Sequence, residues 1–294
     1  AAALRAPQGA AAAWSPAPAD PPPPRPVDLL PAELPFVGRQ QEVAALERAW
    51  HSGRPMLVEG DGGVGKTRLV CDFVAAHGPY AIVACRAGDA ELPLASFTRA
   101  LRALAGPDPA LHELPVWVRE ELARLMPELG AAPLPLRSED ERSRFAQACA
   151  MAWQHWAVGN FDAIVIDDWH LADAGSQALW SQVHSAAEAA PRLVLVYRPG
   201  LAPGAAERLL HEQQAGAAHL RLEPLPADAV FDLVQQLSGQ PEPRRFAAML
   251  ARATDGNPFY MAETLRHLVE RGMLSAAADG SWQTPYDDST IGYE

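Results

Sequence analysis

A glycine-rich segment that ends in a lysine and a threonine is the first candidate site in this sequence. Residues 60–67 read Gly-Asp-Gly-Gly-Val-Gly-Lys-Thr and match the phosphate-binding P-loop pattern. Glycines let successive backbone N–H groups face inward, where they form a nest for nucleotide phosphates. Lys66 should reach the β- and γ-phosphates, and the Thr67 hydroxyl should bind Mg²⁺. The predicted nucleotide-binding residues here are Gly60, Asp61, Gly62, Gly63, Val64, Gly65, Lys66, Thr67 and Arg68.

Lys66 is the only lysine in the chain, against 23 arginines. The abundance of Ala and Pro indicates a GC-rich coding sequence, which accounts for the scarcity of lysine. The planar guanidinium of arginine does not replace a compact ammonium at such a phosphate site. The position of the one lysine is therefore consistent with a phosphate-binding role.

Two carboxylates and a guanidinium follow short apolar segments. Asp167 ends one of these segments and is the candidate for holding Mg²⁺ through water, although it could instead cap the next element. Asp168 could polarise an attacking water or only adjust the local field. Arg198 could sense the γ-phosphate or pair with a surface carboxylate. Asp168, Lys66 and Arg198 are the predicted catalytic residues, and Thr67 and Asp167 are the predicted metal ligands.

Two further polar residues lie beside these carboxylates. Asp173 fits the N-cap of a helix over 174–189 better than it fits a catalyst. His170 is adjacent to the candidate site, where it could contact phosphate or water, although the sequence favours a packing or solvated histidine.

The elements that must position these residues alternate in type. Five short apolar segments are predicted as strands, at 55–59, 80–84, 163–167, 192–197 and 219–222. Helical periodicity fills the intervals, which is typical of a doubly wound parallel sheet. The predicted fold is α/β: a P-loop NTPase domain over 36–224 with a five-stranded parallel sheet. The P-loop would then connect the first strand to a helix at 66–76.

Three other regions flank this predicted domain. Residues 1–35 contain ten of the 28 prolines and are predicted to form a Pro/Ala-rich linker. Residues 225–272 contain no predicted strand and are interpreted as a small helical domain. Its helices are expected at 227–238, 243–253 and 258–271. Residues 273–294 include the turn-forming pair Asp279-Gly280 and are interpreted as the truncated start of a further domain, or as a tail.

Two predicted helices carry clear signals at their first residues. Ser138 with Glu141 has the spacing of a capping box at the start of a helix over 139–158. Asn257 and Pro258 provide an N-cap and a first helical residue for the helix over 258–271.

Composition excludes several classes of function. The formal net charge of −12 disfavours a general nucleic-acid surface and a polybasic membrane contact. The three cysteines match no zinc-binding spacing, and no apolar run approaches the roughly 18 residues of a membrane span. We therefore expect a cytoplasmic protein in a reducing compartment. The chain begins without Met, and we expect it to be a piece of a longer protein.

Several motifs, taken in order, resemble one class of proteins, the STAND signal-transduction ATPases. The closest resemblance is to the AAA-type ATPase modules of large bacterial transcriptional regulators and nucleotide cyclases. It covers roughly 36–272. The motifs are Phe36-Val-Gly-Arg39-Gln-Gln-Glu42, the P-loop, Ile164-Val-Ile-Asp-Asp-Trp-His-Leu-Ala-Asp173, Val196-Tyr-Arg-Pro199 and Gly256-Asn-Pro-Phe259.

This resemblance implies roles that spacing alone does not provide. Val37, Gly38 and Arg39 would lie near adenine and ribose, and Pro258 would contact the nucleotide from a helical lid. Arg198 would act as a sensor of the nucleotide. ADP would hold a closed monomer, whereas ATP with an inducer would permit self-association, and slow hydrolysis by a weak ATPase would reset the state. The inducer would act through domains outside this chain, and residues 273–294 would begin a winged-helix domain.

Three alternatives remain open at this stage. An AAA-type remodelling ATPase would require a ring and a pore motif, and no aromatic-glycine pore motif is evident in the sequence. A small-molecule phosphotransferase would need several convergent arginines, for which Arg244, Arg245 and Arg252 are candidates. A vestigial nucleotide-binding interaction module is disfavoured by the presence of Lys66 and Asp167.

Overall fold

The computed structural model describes residues 29–106, 113–131, 133–186, 190–200, 218–240, 243–277 and 281–283. Its strands are β1 (Met56–Gly60), β2 (Tyr80–Ala84), β3 (Ala163–Asp167), β4 (Arg192–Tyr197), β5 (Ala218–Leu222), β6 (Ser275–Ala276) and β7 (Trp282–Gln283). Its helices are α1 (Gln40–Ser52), α2 (Lys66–Ala75), α3 (Ala95–Ala105), α4 (Val116–Leu122), α5 (Glu139–Ala157), α6 (Ala174–Ala186), α7 (Ala227–Ser238), α8 (Arg244–Thr254) and α9 (Pro258–Glu270).

The first five strands form one parallel sheet in the order β2-β3-β4-β1-β5. β1 lies between β4 and β5, so that Glu59 is opposite both Tyr197 and Arg221. The carboxyl ends of all five strands therefore lie along one edge of the sheet, where ligands bind in folds of this type. The predicted α/β fold with a five-stranded parallel sheet is confirmed.

Helices cover both faces of the sheet because its strands are apolar on both sides. On one face, Leu57 and Ile164 pack with Phe97, Trp153 and Trp180 from α3, α5 and α6. The opposite face packs against α1 and α2 through a second cluster that is rich in valine. The five strands agree with the predicted ranges to within one residue.

Helices α7, α8 and α9 enclose a third apolar core, which we call the lid core. Its fully buried centre includes Val230, Leu250, Met261 and Leu265. The last part of the predicted linker also contacts it, through the partly buried Leu29, Leu30 and Leu34. Residues 1–28 lie outside the described residues, as do the turn at 279–280, the end of the predicted helix at 187–189, and 284–294.

Helix starts follow the predicted capping chemistry. Ser138 and Glu141 form both hydrogen bonds of a capping box at α5. The Asn257 side chain accepts a hydrogen bond from Phe259 N–H at α9, with Pro258 in the first turn. Among the described residues, no helix is both long and apolar enough to cross a membrane.

Candidate functional site

The P-loop connects β1 to α2 at the carboxyl edge of the sheet. Gly63 and Gly65 have φ angles of 81° and 95°, in the left-handed region that favours glycine. Lys66 is 7% exposed, and its Nζ donates to the carbonyls of Gly60 and Asp61 at 2.8 Å each. Burial, with a further contribution from Arg198, lowers the pKa of Lys66. The ammonium therefore lies inside the loop, within reach of any anion that the loop binds.

Thr67 and Asp167 meet directly, as the predicted metal site requires. The Thr67 hydroxyl donates to Asp167 Oδ2 at 2.8 Å, and Asp168 N–H donates to Asp167 Oδ1 at 3.1 Å. Burial raises the pKa of Asp167, although the hydrogen bond from Thr67 opposes this effect. A cation between the two side chains would replace the hydrogen bond and compensate the buried charge. The two oxygens thus fit Mg²⁺ as a pair of ligands.

The rest of such a coordination shell would have to come from water and phosphate. Among the described residues, no group of three or more His, Cys, Asp or Glu side chains could hold a metal ion. Mg²⁺ commonly binds through one or two protein oxygens, several waters and substrate phosphates. Thr67 and Asp167 could thus supply the protein oxygens of such a site.

Asp168 has a backbone conformation that is unusual for a residue with a side chain. Its φ angle is 52°, and its side chain is 38% exposed. His170 Nδ1 lies 4.0 Å from Asp168 Oδ1, while the His170 side chain is only 5% exposed. Burial lowers the pKa of His170. The left-handed turn thus directs the chain from β3 into a short 3₁₀ turn at Trp169–Leu171 that buries this imidazole beside Asp168.

Arg198 follows β4 and lies against the P-loop. A Cβ atom added to Gly62 would be 3.5 Å from the carbon at the centre of the Arg198 guanidinium. Arg198 also lies close enough to Lys66 and His170 to lower the pKa of both. The structure therefore brings the three predicted catalytic residues, Lys66, Asp168 and Arg198, to the same edge of the sheet as Asp167.

Val37, Gly38 and Arg39 contact the P-loop and the lid core through packing. Val37 is part of the lid core, and a Cβ atom on Gly38 would clash with Ala229 of α7. Arg39 is 5% exposed, and its Nη2 donates to the carbonyl of Val64 at 3.1 Å. Arg39 therefore supports the P-loop backbone at Val64, whereas Val37 and Gly38 pack against the lid core. The contact of Val37, Gly38 and Arg39 with adenine and ribose remains a prediction.

A cavity of about 500 Å³ lies next to the P-loop, between α2, α9 and residues 30–34. The predicted residues Thr67, Arg68 and Pro258 line it. Arg68 Nη1 donates to the Leu34 carbonyl at 2.6 Å, and its guanidinium lies 5.8 Å from the centre of the Phe36 ring. The complete lining is Leu30, Pro31, Ala32, Glu33, Leu34, Thr67, Arg68, Cys71, Asp72, Pro258, Phe259, Ala262 and Arg266.

Two parts of the site were not predicted from the sequence. Residues 30–34 were assigned to the linker, although Leu30 and Leu34 are apolar residues in a proline-rich segment and could have indicated packing. The sequence predicts Asn257 as a helix cap, in a segment that the resemblance implies contacts the nucleotide, yet its Nδ2 also donates to the Gly62 carbonyl of the P-loop at 2.9 Å. No sequence signal could have identified that partner.

Comparison with solved structures gives distant matches, among them three with TM-scores below 0.5. A Walker-type ATPase of Pyrococcus abyssi is 17% identical with a TM-score of 0.48, over 81% of this chain and 69% of that one. Orc1 of Aeropyrum pernix, solved in complex with DNA, is 16% identical with a TM-score of 0.49, over 84% and 64%. A Signal Transduction ATPase with Numerous Domains from Pyrococcus horikoshii, with a tetratricopeptide repeat sensor, is 17% identical with a TM-score of 0.44, over 83% and 34%.

The sequence itself identifies the family. No curated protein matches the chain. The family model described as the AAA ATPase domain matches residues 35–196, which include the P-loop, Asp167 and Asp168. This match covers more than half of the chain and extends from the residues before α1 into β4. The chain therefore belongs to the AAA ATPase domain family.

Proposed function

We propose that this chain binds ATP, hydrolyses it slowly, and acts as a nucleotide-dependent switch in a signalling or transcription-regulatory protein. The observation that carries the proposal is the direct contact between Thr67 and Asp167 beside the buried ammonium of Lys66. These groups come from separate parts of the chain and meet where a P-loop requires them. The AAA ATPase domain family supports nucleotide binding, whereas the switch is inferred from the resemblance to STAND ATPases.

The proposed chemistry assigns one task to each polar side chain. Thr67 and Asp167 would hold Mg²⁺, which neutralises developing charge on the phosphates. Lys66 would exchange the carbonyls of Gly60 and Asp61 for oxygens of the β- and γ-phosphates. Asp168 would orient and polarise the attacking water. Arg198, beside the P-loop, would contact the γ-phosphate, and these contacts would differ between ATP and ADP.

The cavity beside Thr67 is the best place for the base and ribose of the nucleotide. Its volume of about 500 Å³ is within the range of small-molecule sites. Apolar walls from Leu34, Pro258 and Ala262 would cover the faces of a purine, and Arg68 would lie toward its polar edge. Because α9 forms one wall, a bound nucleotide would contact both the sheet domain and the lid core.

Contacts with both parts would let the nucleotide control their arrangement. A ligand shifts an equilibrium between two arrangements only when it binds one of them better. The γ-phosphate provides such a difference through Arg198. We propose that the ATP-bound arrangement permits self-association, and that a protein or small-molecule inducer acts through further domains of the complete protein. We expect no direct contact of this chain with nucleic acid or membrane, given its net charge of −12.

Phosphate release from ATP in the presence of Mg²⁺ tests the catalytic part of this proposal. The wild-type chain should release phosphate slowly, and Asp168→Asn should lower the rate by roughly 10-fold or more while ATP still binds. Size measurements with ADP and with a non-hydrolysable ATP analogue, on the complete protein with its inducer, test the switch. Identical sizes in both nucleotide states would contradict nucleotide-controlled self-association.

A further inference from the structure

Asn257 connects the first turn of α9 to the middle of the P-loop. The residue is 8% exposed. Its Oδ1 accepts from Phe259 N–H at 3.1 Å, and its Nδ2 donates to the Gly62 carbonyl at 2.9 Å. Because one partner is a donor and the other is an acceptor, the amide has only one orientation that satisfies both. Phe259 N–H also lies 3.2 Å from the Gly63 carbonyl.

The two backbones approach too closely for any side chain to separate them. A Cβ atom on Gly63 would lie 2.7 Å from Phe259 Cβ and 2.8 Å from Asn257 Oδ1. The same turn is also held from the other side, since Leu225 N–H donates to the Gly256 carbonyl at 2.8 Å. The turn at 256–257 therefore bridges the P-loop and the segment that joins β5 to α7.

These bonds act on the peptide groups that would bind phosphate. A trans peptide unit is planar, so its carbonyl and its N–H point in opposite directions. The Gly62 carbonyl faces Asn257, which directs the Gly63 N–H away from the lid. In the same way, the Gly63 carbonyl faces Phe259 N–H, which directs the Val64 N–H away from the lid. The contacts on the lid side thus fix the direction of two N–H groups in the proposed phosphate nest.

We propose that Asn257 is a positioning residue that couples nucleotide binding at the P-loop to the docking of the lid. This inference rests on the proposed function, because the P-loop must bind the phosphates. The coupling is reciprocal: phosphates that align the N–H groups also align the carbonyls that Asn257 and Phe259 N–H bind. A bound nucleotide therefore strengthens lid docking, and a docked lid strengthens nucleotide binding.

The test compares two N-cap variants of the 294-residue chain. Asn257→Ser keeps a good cap for α9, but its hydroxyl is too short to reach Gly62. Ser138→Ala removes the N-cap of α5. Ser138 has no hydrogen bond to Asn257 or to the P-loop, so this variant controls for a general loss of helix stability. ADP affinity is measured by calorimetry, and amide hydrogen exchange is followed with and without ADP.

We expect Asn257→Ser to weaken ADP binding by about 5-fold or more, whereas Ser138→Ala leaves the affinity unchanged. ADP should slow exchange in the first turns of both α2 and α9 in the wild-type chain. In Asn257→Ser, the ADP-dependent slowing should persist in α2 and become smaller in α9, where the contact of Phe259 N–H with the Gly63 carbonyl remains. A purely structural cap would not produce this separation.

Each outcome is informative about a different claim. A wild-type chain that binds no ADP refutes the proposed function itself. A wild-type chain that binds ADP, with unchanged affinity and unchanged α9 slowing in Asn257→Ser, refutes the coupling alone. Asn257→Asp keeps the size and the cap of the side chain but places an acceptor opposite the Gly62 carbonyl. The same loss is expected for it, so a folding defect in one variant leaves the other as a test.

Discussion

Asp167 at the end of β3 and Asp173 in the segment that follows differ in how their surroundings compensate the negative charge. Asp173 is 5% exposed and accepts hydrogen bonds from Leu94 N–H, Ser96 Oγ, and both the N–H and Oγ of Ser176. Burial opposes its ionisation, but the hydrogen bonds from Ser176, Leu94 and Ser96 outweigh burial and lower its pKa. For Asp167, burial outweighs the hydrogen bond from Thr67 and raises the pKa.

The difference separates a structural carboxylate from a functional one. The donors around Asp173 compensate its charge within the protein, so its role is complete once the chain has folded. Asp167 keeps a charge that its neighbours compensate only in part. Such a group stabilises the folded state less and binds an incoming cation better. The local balance of burial and hydrogen bonding, more than burial itself, therefore distinguishes the two roles.

Replacement of Asp167 should reduce activity more than replacement of Asp173. Asp167→Asn removes the charge proposed to hold Mg²⁺, which contributes several kcal/mol to stabilising the charge of the transition state. We expect Mg²⁺-dependent phosphate release to fall by about 100-fold or more, whereas ADP binding without Mg²⁺ changes by about 2-fold or less. Equal losses in phosphate release and in Mg²⁺-free ADP binding would contradict the proposal that Asp167 holds Mg²⁺.

Replacement of Asp173 should instead affect folding. Asp173→Ala leaves the buried donors of Leu94, Ser96 and Ser176 without their acceptor, which costs about 3 kcal/mol of unfolding free energy. Urea unfolding with a two-state fit measures the change. ADP affinity should remain within about 2-fold of wild type. If stability is unchanged and nucleotide binding is lost, the contrast between the two carboxylates is wrong.

A smaller effect is expected on the stability of the Mg²⁺-free chain. Because ionisation of Asp167 is unfavourable in the folded state, the neutral side chain of Asp167→Asn should raise the thermal midpoint by about 2 °C at neutral pH. Calorimetric scans in excess chelator measure this change. A marked decrease in the midpoint would show that the Asp167 charge stabilises the fold.

The free energy of unfolding should depend on pH in opposite ways for Asp167 and Asp173. The folded-state pKa of Asp167 lies above its unfolded value, so the cost of its charge decreases as the pH falls through the folded-state pKa. The advantage of Asp167→Asn should therefore shrink between pH 7 and about pH 4. The folded-state pKa of Asp173 is lowered, so its contribution is fully present above its unfolded pKa and is lost as the pH falls through the folded-state pKa. Urea unfolding of Asp173→Asn and wild type should then converge only below about pH 4.

Local chemistry made much of this fold and site predictable. Apolar segments bounded by polar residues identified β2, β3 and β4 with their observed ends, and the glycine pattern identified the P-loop. Asp167 was recognised from its position at the end of a strand, and Asp173 from its spacing before a helix. In each case, the signal and the structural consequence lie within a few residues of each other.

The contacts that could not be predicted join distant parts of the chain. Asn257 has the sequence signature of a cap, as Ser138 does, but only the packing of α9 on the P-loop gives it the Gly62 carbonyl as a second partner. Two of the four donors of Asp173, Leu94 N–H and Ser96 Oγ, likewise depend on α3 packing beside α6. Side-chain types at fixed spacing indicate which chemistry is available, whereas tertiary packing determines which partners use it.

Calorimetric titration of ADP into the wild-type chain and Lys66→Ala tests the central claim most directly. The P-loop encloses the Lys66 ammonium, with its Nζ against the Gly60 and Asp61 carbonyls. We predict one ADP bound per wild-type chain, and an affinity at least about 10-fold lower for a folded Lys66→Ala variant. Equal affinity in the two proteins, or no binding to the wild type, would contradict a nucleotide site at this loop.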